Sequence, residues 1–189
     1  MTRFNRLSIP DVIEIVPQKF GDDRGFLSEV WQHDSFSEQG VANRWIQENH
    51  SYSREKGTVR GLHFQVPPTA QAKLVRVLRG EIFDVALDLR QGSPDYGKWA
   101  GVSLSADRWN QLYLPQGFAH GFMTLTEDVE VLYKLDAPYS PEDERAIAWD
   151  DPSIGIDWPD PGVAPIHSQK DRAAAAFADL KTPFEYRTG

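Results

Sequence analysis

The chain has no cysteine among its 189 residues, which excludes disulfides and thiolate metal sites. That absence fits a reducing cytoplasm. No apolar run approaches the roughly 20 residues of a membrane span, and none follows Met1-Thr2-Arg3 as a secretory leader would. A soluble, cytoplasmic protein is therefore expected. A basic excess is also missing: 20 Lys and Arg stand against 28 Asp and Glu, for a formal net charge of −8. Nucleic-acid binders usually carry the opposite balance, so neither nucleic acid nor a membrane is expected as a partner. Linkers, repeats and low-complexity tracts are lacking too, and residues 1–189 read as one domain.

What is present is aromatic and β-prone. Six Trp, six Tyr and ten Phe suit an all-β core or a pocket that stacks a flat ligand. Strand patterns recur over Ile9–Val16, Phe26–Trp31, Trp45–Ser51, Thr58–Gln65, Lys73–Arg79, Glu81–Leu89, Trp99–Ser105, Gln111–Pro115, Gly121–Thr126 and Val129–Leu135. Turn signals separate them, among them Gly21–Gly25, Pro67-Pro68, Arg79-Gly80 and Pro115-Gln116-Gly117. Many short, evenly spaced strands predict a mainly β jelly-roll barrel. Helix is confined to the ends. A capping box at Ser35-x-x-Glu38 predicts a short helix closing at Gly40, and another at Ser168-x-x-Asp171 predicts a helix to Leu180.

The chemistry concentrates in Arg60-Gly61-Leu62-His63-Phe64-Gln65. Strict alternation puts Arg60, Leu62 and Phe64 on one face and Gly61, His63 and Gln65 on the other. A polar face on such a strand either meets solvent or lines a cavity. Lys73 shares a face with Val75 and Val77, so it is either an edge-strand lysine guarding against aggregation or an amine aimed at a ligand. With Arg24, Arg60, Arg76 and Arg79 it offers local cations to a small polyanion despite the acidic total. Asp84, within an apolar strand, needs a partner, and His120 is the candidate. Asp171 is accounted for by helix capping alone unless the fold carries it to His63. Tyr133 lies in a strand, and Tyr139, in a Pro-bounded loop, is placed to cover a pocket and stack a base.

The stretch Pro115-Gln116-Gly117-Phe118-Ala119-His120-Gly121 resembles the second motif of the cupin superfamily. The first cupin motif supplies His-x-His; here the second position is Gln65, which points away from a metal and toward histidines that transfer protons or bind a ligand. Further motifs resemble the dTDP-4-dehydrorhamnose 3,5-epimerase family across most of the chain. They include Phe20–Phe26, Gln47–Ser51, Val59–Gln65, Ala72–Arg76, Gly80–Val85, Pro115–Phe122, Tyr139-Ser140-Pro141 and Ile154–Pro159. The resemblance implies a cupin-like double-stranded β-helix, a homodimer, no metal or other cofactor, and a dTDP-4-keto-6-deoxyhexose substrate. It assigns His63 as base, Asp171 as its orienting carboxylate, Lys73 as stabiliser of the enolate oxygen and Tyr133 as proton donor. It also sets Arg24, Glu29, Gln47, Asn49, Arg60, His120, Tyr139, Glu144 and Lys170 around the nucleotide sugar. The implied reaction is epimerisation at C3 and C5. The alternatives are epimerisation at one carbon only, a non-catalytic sugar-nucleotide binder, and a metal-dependent cupin.

Overall fold

The computed structural model describes residues 1–187. Its strands are β1 (Arg3–Arg6), β2 (Ile13–Val16), β3 (Lys19–Asp22), β4 (Gly25–Ser28), β5 (Gln47–Ser53), β6 (Val59–Gln65), β7 (Lys73–Arg79), β8 (Glu81–Asp88), β9 (Trp99–Ser105), β10 (Gln111–Leu114), β11 (Phe118–Thr124), β12 (Val129–Leu135) and β13 (Glu144–Ala146). Two antiparallel sheets result, in the orders β1-β2-β10-β7-β12-β5 and β13-β6-β11-β8-β9, while β3 and β4 form a separate hairpin. The mainly β jelly roll expected from the strand spacing, cupin-like as the resemblance implies, is what forms.

Alternation along the strands builds the layers. Val75 and Val77 of β7, Val131 of β12, Ile82 and Ala86 of β8 and Phe118 and Phe122 of β11 meet between the sheets. The other face of the six-stranded sheet sends Leu74 and Tyr113 against Phe36 and Val41. The outer face of the five-stranded sheet sends Leu62, Phe64, Val85 and Leu87 against the C-terminal segment, where Ile154, Trp158, Phe177 and Phe184 cover them. Burial of this kind contributes about 25 cal/mol per Å², and here it also fixes where the C-terminal segment lies. That segment is pinned by a parallel bridge between Thr58 and Ile166, which leads the chain onto β6.

Helix is scarcer than the sequence predicts. The first helix, α1 (His33–Ser37), is capped by the Gln32 side chain rather than by Ser35. The long C-terminal helix is absent: α2 (Gln169–Arg172) gives way to a 3-10 turn at Phe177–Asp179. Alanines favour helix, but Ala175 is drawn into a bridge with Ile147, and its carbonyl accepts from Ala148. Tertiary pairing therefore overrides local propensity. Three further strands escaped the sequence reading, β1, β3 and β13. The Gly21–Gly25 turn is the tip of the β3–β4 hairpin, and β13 forms only by pairing with β6. Among the described residues, no helix is long and apolar enough to cross a membrane.

Candidate active site

The centre of the site is a bulge in β6. His120 of β11 opposes His63, and Phe122 opposes Arg60, so Gly61 and Leu62 share the single opposing residue Gly121. One extra residue resets the alternation. Leu62 and Phe64 face the C-terminal segment, while Arg60 and His63 line the same side of the barrel. The strict alternation that would part Arg60 from His63 is thus corrected. Glycine is required at the bulge: Gly61 has φ +121°, and a Cβ there would lie 2.5 Å from Gly121 Cα and 2.6 Å from the His120 carbonyl.

His63 is oriented from behind by α2. Its Nε2 lies 2.6 Å from Asp171 Oδ1, and Asp171 is only 5% exposed. Ser168 caps α2 by accepting from the Asp171 backbone N–H, and its hydroxyl donates to Asp171 Oδ2. The Asp171 side chain serves His63 rather than completing a capping box. Burial opposes its charge, but hydrogen bonds from His63, Ser168 and the Gly61 backbone outweigh that and hold Asp171 down at about 2. An anionic Asp171 fixes a proton on His63 Nε2 and leaves the Nδ1 lone pair as the basic atom. It also stabilises the imidazolium that forms when Nδ1 takes a proton.

The opposite sheet supplies the remaining chemistry. Lys73 opens β7, which lies between β10 and β12, so it is not an edge lysine. It is 7% exposed, and its Nζ donates to the His63 carbonyl at 3.4 Å. Burial lowers Lys73 to about 8, against the upward pull of Asp84 and Glu144. Tyr133 of β12 pairs in register with Val75 of β7 and Asn49 of β5. On β11, His120 Nε2 lies 2.6 Å from Asp84 Oδ1. Burial pushes His120 down, against the pull of Asp84, and so favours the neutral imidazole.

These groups line two adjoining lobes. The outer one, about 390 Å³, is walled by Gln47, Asn49, Gln65, Gln71, Tyr139 and Glu144. The inner one, about 200 Å³, is walled by Ser51, Arg60, His120, Phe122, Ser168 and Asp171. His63, Lys73 and Tyr133 line both. At the rim, Glu144 accepts from the Tyr139 hydroxyl at 2.6 Å and pairs with Lys170 of α2. Burial opposes its charge, but Lys170 and Tyr139 bring Glu144 below the usual carboxylate range. Arg60 is held by Ser53 Oγ and the Tyr52 carbonyl.

Within the chain, the fold therefore gathers His63, Asp171, Lys73, Tyr133, Gln47, Asn49, Arg60, His120, Tyr139 and Glu144, with Lys170 attached through Glu144. Arg24 and Glu29 line neither lobe. Arg24 sits at the β3–β4 tip, paired with Asp22, its side chain 90% exposed. The sequence reading missed Ser51 and the bracing role of Gln65. Gln65 donates to the carbonyls of Thr69 and Pro138 and accepts from the Ser140 N–H, which holds the Tyr139 loop against β6. The parity of Gln47 and Asn49 points to Ser51, and that of His63 points to Gln65.

A family model described as dTDP-4-dehydrorhamnose 3,5-epimerase matches residues 6–179. A protein of that name from Pseudomonas aeruginosa is 51% identical, over 92% of this chain and 95% of its own length. One from Sinorhizobium fredii is 49% identical over 97% and 93%. The crystal structure of dTDP-6-deoxy-D-glucose-3,5-epimerase from Legionella pneumophila, in complex with dTDP-4-keto-L-rhamnose, superposes with a TM-score of 0.94. It is 40% identical, with both chains covered over 100%.

Proposed function

The chain belongs to the dTDP-4-dehydrorhamnose 3,5-epimerase family, and from that premise we propose that it epimerises C3 and C5 of dTDP-4-dehydro-6-deoxy-D-glucose, giving dTDP-4-dehydro-L-rhamnose. The observation that carries this reading is the placement of His63 on one sheet and Tyr133 on the other, facing one cavity that also holds Lys73. A C4 ketone acidifies the protons on C3 and C5. His63 Nδ1 takes one of them, and the electron pair moves into the ring to form an enolate whose charge rests on O4. The Lys73 ammonium stabilises that oxygen. Tyr133 then gives its phenolic proton to the opposite face of the carbon, which inverts it. Proton exchange with water resets imidazolium and phenolate, and the sequence repeats at the second carbon. Purified protein supplied with the 4-keto sugar nucleotide should yield the L-rhamno product by NMR; recovery of unchanged substrate would reject the assignment.

The donor assignment rests on depth. Tyr133 lines both lobes, whereas Tyr139 is 52% exposed and its hydroxyl already donates to Glu144. Tyr133→Phe should lower kcat roughly 10²-fold or more, while substrate protons still exchange with solvent through His63. Tyr139→Phe should chiefly raise KM. A larger kcat loss from Tyr139→Phe would identify it as the acid instead.

The substrate-binding roles of Arg24 and Glu29 are reconciled with their distance from the cavity if the active form is a homodimer. The β3–β4 hairpin exposes Phe20, Phe26 and Leu27 at 57%, 50% and 75%, an apolar arm suited to a second copy that would receive Arg24 at its own cavity. Co-expressed Arg24→Ala and His63→Ala chains, each impaired alone, should then regain about a quarter of wild-type activity, because one site in each mixed dimer is complete. Activity no higher than the mean of the two variants would place Arg24 in its own chain's site. A cytoplasmic location for this dimer, acting as one domain per chain, accords with the absence of cysteine.

A further inference from the structure

Asp84 has no place in the proton transfers, yet it is among the most buried charges of the protein. It is 0% exposed on β8. One carboxylate oxygen is held by His120, and the other has no hydrogen-bond partner. Leaving a buried carboxylate oxygen unsatisfied is costly unless a nearby charge offsets it. The buried cation in this region is Lys73, whose ammonium has, among the described residues, only the His63 carbonyl as a hydrogen-bond partner and no carboxylate within ion-pair range. The charged and titratable groups around Lys73 are Arg60 and His63 on β6, Asp84 on β8, His120 on β11, Tyr133 on β12, Tyr139 in its loop, Glu144 on β13 and Asp171 on α2. Of the three acids, Glu144 is already paired with Lys170 and Asp171 with His63. Asp84 is engaged only by an imidazole that burial disfavours charging.

We propose that Asp84 is a positioning residue of the reaction: by binding His120 and setting a buried negative charge beyond it, Asp84 keeps Lys73 in its ammonium form with donors free for the substrate oxygen. A direct Asp84–Lys73 bond would occupy those donors; with Asp84 bonded to His120 instead, the ammonium stays available. The inference rests on the reading of Lys73 as the group that meets the enolate oxygen.

Asp84→Asn keeps an oxygen to accept the His120 bond and removes only the charge. The Lys73 Cε resonance of selectively labelled protein should titrate about one pH unit or more lower in Asp84→Asn than in wild type, and the alkaline limb of kcat/KM should move by the same amount. Asp84→Glu should restore the limb toward its original position. An unmoved Lys73 titration would overturn the proposal. A moved titration with an unmoved rate limb would instead count against the part given to Lys73 in the reaction. If Asp84→Asn does not fold, Lys73→Met and Lys73→Met/Asp84→Asn decide the matter. Without its counter-charge Asp84 is a liability, so the double variant should melt higher than Lys73→Met alone. A lower melting temperature for the double variant would overturn the proposal.

Discussion

His63→Ala should lower kcat by roughly 10²–10⁴-fold while leaving affinity for dTDP nearly unchanged. The alanine removes the cavity imidazole that Asp171 orients from behind: Asp171 holds Nε2 at 2.6 Å and is itself held at about 2. His120 is no substitute. It is oriented by Asp84 and lies on the same sheet as His63, so it opens no route to the opposite face of the sugar. The outer-lobe groups proposed to hold the nucleotide, Gln47, Asn49, Tyr139 and Glu144, remain in place, anchored to β5, the Tyr139 loop and β13. Steady-state rates and calorimetric titration with dTDP check this. A kcat within a few-fold of wild type would mean that the base is another group.

Lys73→Met should cost about 10²–10³-fold in kcat, the usual consequence of losing one donor to a developing oxyanion. The more telling readout is pH. Burial lowers Lys73 to about 8, and its protonated form is the one proposed to stabilise the enolate. Wild-type kcat/KM should therefore be sustained below that value and decline as pH rises through about 8. Lys73→Met, having nothing to deprotonate, should lose that decline along with most of its rate. A variant that kept an alkaline limb at the same place would assign the limb to a different group, and a variant with unimpaired kcat would remove Lys73 from the reaction.

Much of this was legible in the sequence because the relevant signals are local. Lys73–Arg79, Trp99–Ser105 and Val129–Leu135 coincide with β7, β9 and β12, since each is a short β-prone run bounded by turn residues. Lys73 could be placed beside Val75 and Val77 by alternation along its run. What stayed hidden depends on contacts between distant segments. The bulge that reunites Arg60 with His63 exists because β6 pairs with β11 out of step at Gly61 and Gly121, and neither strand shows this by itself. Asp171 reaches His63 across 108 positions because the C-terminal segment covers the outer face of β6, whereas the capping pattern at Ser168 fully accounts for a local acid. The alanines after α2 were misread because their helical preference is weaker than the pairing of Ala175 with Ile147. Arg24 and Glu29 lay beyond any alternation argument, as their hairpin leaves the two main sheets altogether.

The central claim is that one cavity, with a base on one sheet and an acid on the other, inverts two carbons through an enolate. Turnover of dTDP-4-dehydro-6-deoxy-D-glucose in deuterated water, followed by NMR, tests it most directly. The geometry predicts solvent deuterium at both C3 and C5 of the product, each carbon inverted, with His63→Ala abolishing incorporation at both. Deuterium and inversion at one carbon alone, or inversion without any solvent deuterium, would contradict it.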